Sequence, residues 1–209
     1  MKCDVILAGV GGQGVLSIVA IIARAALDEG LQVRQSEVHG MAQRGGAVLA
    51  HLRISDRHIA SDLVAQGSAD LIISMEPLES LRYAAWLSPR GTVISAAEPL
   101  VNIGNYPDHG AVRAALDGFP RRRVISAEAL AKEAGQAKSV NMVMVGAASP
   151  FLPIQARSLE NAISAMFSEK RPDLIEVNAT AFQLGRQAAQ SAAQSAAENA
   201  AHFAKEISS

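Results

Sequence analysis

Apolar positions in the first forty residues fall into three blocks separated by glycine and charge. Residues 4–8 read DVILA, a short β-branched run that stops at glycines. Residues 15–27 place apolar side chains almost continuously until Asp28, Glu29 and Gly30 end the segment, and residues 31–38 form a second strand-like run. Strand, tight turn, buried helix and strand predict one βαβ unit over residues 4–38, because a right-handed crossover is the usual way back to a sheet.

Four more strand-like runs follow at 47–54, 70–75, 92–96 and 123–126, with a helical stretch at 77–87 that opens on Pro77. Residues 47–54 carry His51 and Arg53 on one alternating face and Val48, Ala50, Leu52 and Ile54 on the other. That alternation suits an edge strand or hairpin better than a fully covered central strand. The pattern therefore predicts an α/β, Rossmann-like fold. Its sheet should be open, twisted, mostly parallel or mixed, of about five to seven strands, with helices on both faces and a helical C-terminal extension.

Residues 102–110, NIGNYPDHG, read as a long ordered loop, and the arginines at 121–123 as a solvated strand entry. From Ser126 the chain turns helical, over 127–134, 140–148 and 159–167, the last behind Ser158 as N-cap. One long helix is expected after Pro172. Ile175, Phe182 and Leu184 anchor its packed part at 174–185, and order decreases through AAQSAAQSAAENAA toward Ser209. Residues 1–209 are expected to form one domain, with 172–209 as C-terminal helix and tail.

Composition narrows the function classes. With 49% hydrophobic and 19% charged residues in 209, the chain can bury a core without crosslinks. A formal net charge of -1 removes the basic footprint of a nucleic-acid binder. Two uncharged stretches, 5–23 and 139–156, are interrupted by GVGGQG and by Pro150 and Pro153, so neither is expected to span a membrane. Asp4 stands two residues after Lys2, ahead of the apolar run, which argues against a signal peptide. A single cysteine, Cys3, excludes an intramolecular disulfide, a thiolate zinc site or a four-cysteine iron–sulfur cluster within one chain, and points to a reducing, cytoplasmic setting.

Two constellations carry candidate chemistry. Gly9, Gly11 and Gly14, with Gly12 and Gln13 between, make a GxGxxG turn between a strand and a helix, where backbone N–H groups can hold an anion. Glu37 stands near the end of the second strand, where a ribose-binding acid is expected, although such glycines also serve simply to pack helix on sheet. The second is QSEVHGMAQRGG at 35–46. Its polar groups, Gln35, Ser36, Glu37, His39, Gln43 and Arg44, are expected at the carboxyl edge of the sheet beside the glycine loop, where the two glycine-bearing loops meet. His39 could move a proton and Arg44 could clamp a carboxylate or phosphate; both could equally hydrogen-bond loop backbone or a neighbouring subunit. His51 and His58, lacking a third ligand nearby, read as surface groups, and Tyr83 and Trp86 as core or interface.

GVGGQGV at 9–15, QSEVHGMAQRGG at 35–46 and RPDLIEVNATAFQLG at 171–185 together resemble the smaller, gamma-type subunit of the 2-oxoacid:ferredoxin oxidoreductases, in particular those acting on indolepyruvate. The resemblance implies oxidative decarboxylation of an aryl 2-oxoacid to an acyl-coenzyme A, with electrons passed to ferredoxin through the holoenzyme. It also implies that thiamine diphosphate and the iron–sulfur clusters lie in a large partner subunit. The chain has no GDG followed by paired asparagines, so neither redox centre can be assembled from its own motifs. No catalytic or metal-binding residue is assigned. Gly9, Gly11, Gly12, Gln13, Gly14, Gln35, Ser36, Glu37, His39, Gln43 and Arg44 are binding or interface candidates. A homodimer, a stand-alone Rossmann-type nucleotide-binding protein and a non-catalytic assembly module all stay open.

Overall fold

The computed structural model describes residues 1–39, 45–168 and 171–207, and the side chains of all these except His39 and residues 192–207. Six strands form one sheet: β1 (Lys2–Val10), β2 (Gln32–His39), β3 (Ala47–Ser55), β4 (Ala69–Ser74), β5 (Leu87–Ala96) and β6 (Arg122–Ile125), in the order β2-β3-β1-β4-β5-β6. The pairs β1–β4, β4–β5 and β5–β6 are parallel, while β3 runs antiparallel to both β1 and β2. The α/β fold with a mixed sheet is as expected, and the βαβ unit is present with one strand inserted between its two strands.

That insertion corrects the reading of 47–54. The hairpin part holds, since β2 and β3 pair from Gln32↔Ser55 to His39↔Val48, but β3 is interior and β2 is the edge. Its polar face is covered rather than solvated. His51 is 5% exposed, its Nδ1 accepts the Val64 N–H at 3.2 Å, and its ring stands edge-on to Trp86. Arg53 donates to both oxygens of buried Asp4 at 2.8 and 3.1 Å and to the carbonyls of Ser61 and Leu63. Residues 56–68 are thereby fastened over the strand, so His51 is a core histidine and not a surface group. His58 is exposed.

Helices α1 (Val15–Asp28), α4 (Ala127–Glu133), α5 (Val140–Ala148), α6 (Ala156–Ser168) and α7 (Ile175–Ile207) contribute to a larger core on one face. There Val5, Leu7, Leu52 and Ile73 of the sheet meet Ile18, Ile22, Met142 and Phe182. The other face buries Ile6, Ile72 and Val93 under Val64, Leu116 of α3 (His109–Asp117), Tyr83 and Trp86. Between β4 and β5 lie α2 (Pro77–Arg82) and a 3-10 turn at Ala84–Trp86, shorter pieces than the single helix predicted at 77–87. The loop predicted at 102–110 ends at Asp108, whose carboxylate accepts the Ala111 N–H and starts α3. Ser158 is not the cap of α6: the helix begins at Ala156, with the Ser158 and Leu159 N–H groups bonded to the Gln155 carbonyl. Of the arginines at 121–123, Arg121 is exposed as expected, whereas Arg123 is half-buried: it lies 5.5 Å over the Phe151 ring and donates to the Ala189 carbonyl at 3.0 Å. Phe182 is fully buried, as its reading as an anchor required. Among the described residues no helix is long and apolar enough to cross a membrane.

Candidate functional site

The strand β1 ends at Val10, and the chain must reverse within four residues to start α1. Glycine makes this possible at two positions: Gly12 and Gly14 take φ of 103° and 83°, the left-handed region that side chains with a Cβ rarely enter. Gly9 is needed for another reason, since a Cβ there would stand 2.8 Å from Val15 Cγ2 and 3.1 Å from Met75 Cβ. Gln13 closes the turn. Its Oε1 accepts the Val10 N–H at 2.8 Å and its Nε2 donates to the Met75 carbonyl at 3.1 Å, so it clasps the ends of β1 and β4 together.

The expected meeting of the two glycine-bearing loops is present. The Gly11 N–H donates to the Gly46 carbonyl at 2.8 Å and the Gly45 N–H returns to the Gly11 carbonyl at 3.3 Å. Asn102 extends the group, its Nδ2 donating to the Gly45 carbonyl at 2.6 Å. The rest of the second constellation divides. Gln35, Ser36 and Glu37 pair with Leu52, His51 and Ala50 inside the β2–β3 ladder and do not gather at the carboxyl ends of the strands. Glu37 lies two strands from β1, separated from it by β3, which is about 10 Å at the usual strand spacing. The acid is therefore not placed as a ribose ligand of the glycine turn. Gln43, Arg44 and the side chain of His39 lie outside the described residues.

At the carboxyl edge α1 carries the chain from β1 toward β2, while the segment after β4 leads toward β5. Divergence of this kind opens the crevice in which open α/β sheets hold ligands. A cleft of about 460 Å³ occupies it, lined among others by Gly12, Gln13, Met75, Glu98, Leu100 and Lys138. Glu98 is partly committed, accepting the Ala127 N–H at 3.2 Å.

Sequence reasoning missed Glu76, the residue that follows Met75. It is 1% exposed; its carboxylate accepts the Glu79 N–H at 2.9 Å, the Leu100 N–H at 3.4 Å and the Tyr106 hydroxyl. The only local signal was an acid directly before Pro77, the order expected of an N-cap and first helical position. Burial and the neighbouring Glu76 carboxylate push the Tyr106 hydroxyl well above its ordinary value, so it stays protonated and donates. Glu79, also buried, is raised by desolvation, which its contact with Arg82 at 3.1 Å only partly offsets.

The one cysteine lies far from this edge. Cys3 sits near the start of β1, at the opposite end of that strand from the glycine turn, and its thiol is pushed up to about 12 by burial and by Asp70 and Asp4. Among the described residues, no three or more His, Cys, Asp or Glu side chains gather to hold a metal ion.

A family model described as pyruvate ferredoxin/flavodoxin oxidoreductase matches residues 4–188. The chain belongs to this family. Within the pyruvate ferredoxin/flavodoxin oxidoreductases it is similar to the indolepyruvate oxidoreductase subunit IorB of Pyrococcus horikoshii, 34% identical over 197 residues, covering 90% of this chain and 96% of that one. Its fold matches the gamma subunit of a keto/oxoacid ferredoxin oxidoreductase from Geobacter sulfurreducens, with a TM-score of 0.66 and 24% identity over 90% of this chain and 99% of that one. It also matches a 2-oxoglutarate:ferredoxin oxidoreductase from Magnetococcus marinus, solved with 2-oxoglutarate, coenzyme A and succinyl-CoA bound, with a TM-score of 0.72 and 22% identity. That match covers 91% of this chain, which spans only 31% of the Magnetococcus chain. The family match closes at 188, before most of the alanine-rich repeat.

Proposed function

We propose that the chain is the small, gamma-type subunit of a 2-oxoacid:ferredoxin oxidoreductase whose substrate is an aryl 2-oxoacid such as indolepyruvate. The observation that carries this reading is the 34% identity to a subunit named for indolepyruvate, along nearly the full length of both chains. The holoenzyme would decarboxylate the 2-oxoacid, transfer the acyl group to coenzyme A and pass the electrons to ferredoxin. Iron–sulfur clusters are assigned to a large companion subunit, because one cysteine cannot supply the several thiolates a cluster needs, and thiamine diphosphate is assigned there by the family resemblance. The isolated chain is inactive in this reaction.

Its own contribution is made at the carboxyl edge. Gly11, Gly12, Gln13 and Gly14, joined to Gly45 and Gly46 and backed by buried Gly9, present a backbone-rich surface beside the cleft that holds Lys138. This surface faces the companion subunit and the coenzyme A it processes. A stand-alone dinucleotide-binding protein is less well supported, because Glu37 is separated from the glycine turn by β3 and Gln13 fastens the turn to β4. Co-expression with the large subunit tests the reading. Co-purification and indolepyruvate-dependent ferredoxin reduction only when both chains are present are expected. Turnover by this chain alone, or failure of the two chains to associate, would overturn it.

A further inference from the structure

The segment between β5 and α3 is attached to the body in an unusual way. Its ends are firm: the Ala97 N–H bonds to the Ile125 carbonyl at 2.8 Å, and Asp108 caps α3. Between them, no backbone-to-backbone hydrogen bond ties residues 98–107 to another element among the described residues; the one turn, at 104–105, is internal to the segment. What holds the underside of this stretch to the glycine turn and to β4 is a pair of side chains, Asn102 on the Gly45 carbonyl and Glu76 on the Leu100 N–H and Tyr106 hydroxyl. Both Glu76 contacts end on one oxygen, Oε1. Leu100, Val101 and Ile103 meanwhile face outward, 41%, 59% and 38% exposed.

The same segment separates two spaces. Glu98, Pro99 and Leu100 line the cleft of about 460 Å³ beside the glycine turn. Ala97, Pro99 and Tyr106 line a smaller cavity of about 90 Å³ on the other side, closed by Pro77, His109 and Val112. Pro99 belongs to both walls.

We propose that residues 98–107 are a latched strap across the carboxyl edge of the sheet, that the Glu76 carboxylate is its latch, and that release swings the strap about Ala97 and Asp108 and joins the two spaces into one groove. A backbone ladder would have to break residue by residue, whereas here loss of the contacts to one buried oxygen releases the Leu100 N–H and the Tyr106 hydroxyl from Glu76 together, leaving Asn102 on Gly45 and Tyr106 on the Leu78 backbone as the remaining ties. Glu76 is suited to this task because it also caps α2 through the Glu79 N–H, which keeps the carboxylate in place when the strap leaves. The proposal goes beyond the assignment as an oxidoreductase subunit and stands without it.

Limited proteolysis of the full-length chain with thermolysin, which cuts before apolar residues, tests the latch. Cleavage before Val101 and Ile103 should be slow in the wild type and about tenfold faster in Tyr106→Phe, the effect of removing one hydrogen bond from the closed state. Thermal midpoint and cleavage within β1 and α1 should be unchanged. The same variant should bind more 8-anilinonaphthalenesulfonate, since the joined groove is larger and partly apolar. Glu76→Gln should accelerate strap cleavage at least as much, and if that variant fails to fold, Tyr106→Phe decides alone. Equal cleavage rates in wild type and a folded Tyr106→Phe would overturn the latch, as would a wild-type strap cut as fast as an unfolded peptide. Absence of extra dye binding would overturn the joined groove.

Discussion

Gly146 of α5 and Gly185 of α7 meet backbone to backbone: a Cβ on Gly146 would stand 1.9 Å from the Phe182 carbonyl oxygen, and one on Gly185 would stand 1.9 Å from the Val143 carbonyl oxygen. No side-chain rotamer relieves such a clash, because backbone is hit on each side. The helices must separate along their whole crossing, and Phe182, fully buried one turn away, must leave its pocket.

Gly185→Ala is therefore expected to destabilise the fold by about 3 kcal/mol, at the upper end of overpacking costs. Gly12→Ala should cost less, about 1 kcal/mol, because only its positive φ and no neighbouring atom opposes a Cβ. Urea unfolding of the three proteins checks the order; a Gly185→Ala protein as stable as Gly12→Ala would refute the tight crossing.

His51 makes stability depend on pH. Burial lowers its affinity for a proton below the ordinary value of 6.5, and its Nδ1 must stay unprotonated to accept the Val64 N–H. The unfolded chain binds the proton more readily than the folded one. The stabilisation from neutral His51 is thus fully present above pH 6.5 and is lost as pH falls through the lower folded value. The stability difference between wild type and His51→Asn should shrink between pH 7.5 and pH 5, measured by denaturant midpoints; parallel pH profiles would show that the ring is not coupled to the fold.

Arg53→Ala should leave the Asp4 carboxylate, 1% exposed, with Lys2 as its remaining cationic partner. A loss of about 2–3 kcal/mol is expected, less than for a buried pair with no second cation. The carbonyls of Ser61 and Leu63 lose their donor too, so proteolysis within 56–64 should quicken before global unfolding does. Protection of that loop unchanged from wild type would count against its being fastened by Arg53.

Gln13→Ala removes both hydrogen bonds of the clasp between β1 and β4 and should cost about 1–2 kcal/mol. On the proposed function it should also weaken association with the large subunit, because the glycine turn that Gln13 holds is part of the contact surface. Calorimetric titration of the companion chain separates the two effects: lower stability with unaltered affinity would make Gln13 purely structural.

What could be read along the chain was whatever depends on neighbours in sequence. The β1–turn–α1 unit is specified by an apolar run, four glycines in six positions and a second apolar run, and the structure shows it with the helix within one residue of the expected bounds and the strand two residues longer at each end. Long-range pairing and covering carry no such local mark. The alternation in β3 is that of a half-solvated strand, yet Val64 and Trp86, far along the chain, dry its polar face. Glu37 has the spacing of a ribose ligand and is displaced by a strand contributed from later in the chain. Glu76 looks like an ordinary helix cap until Leu100 and Tyr106 fold back onto it. Local propensity and patterning determined the elements and the turn chemistry; the order of strands and the partners of buried polar groups were decided only in the tertiary structure, because each depends on which distant segment takes the place of water.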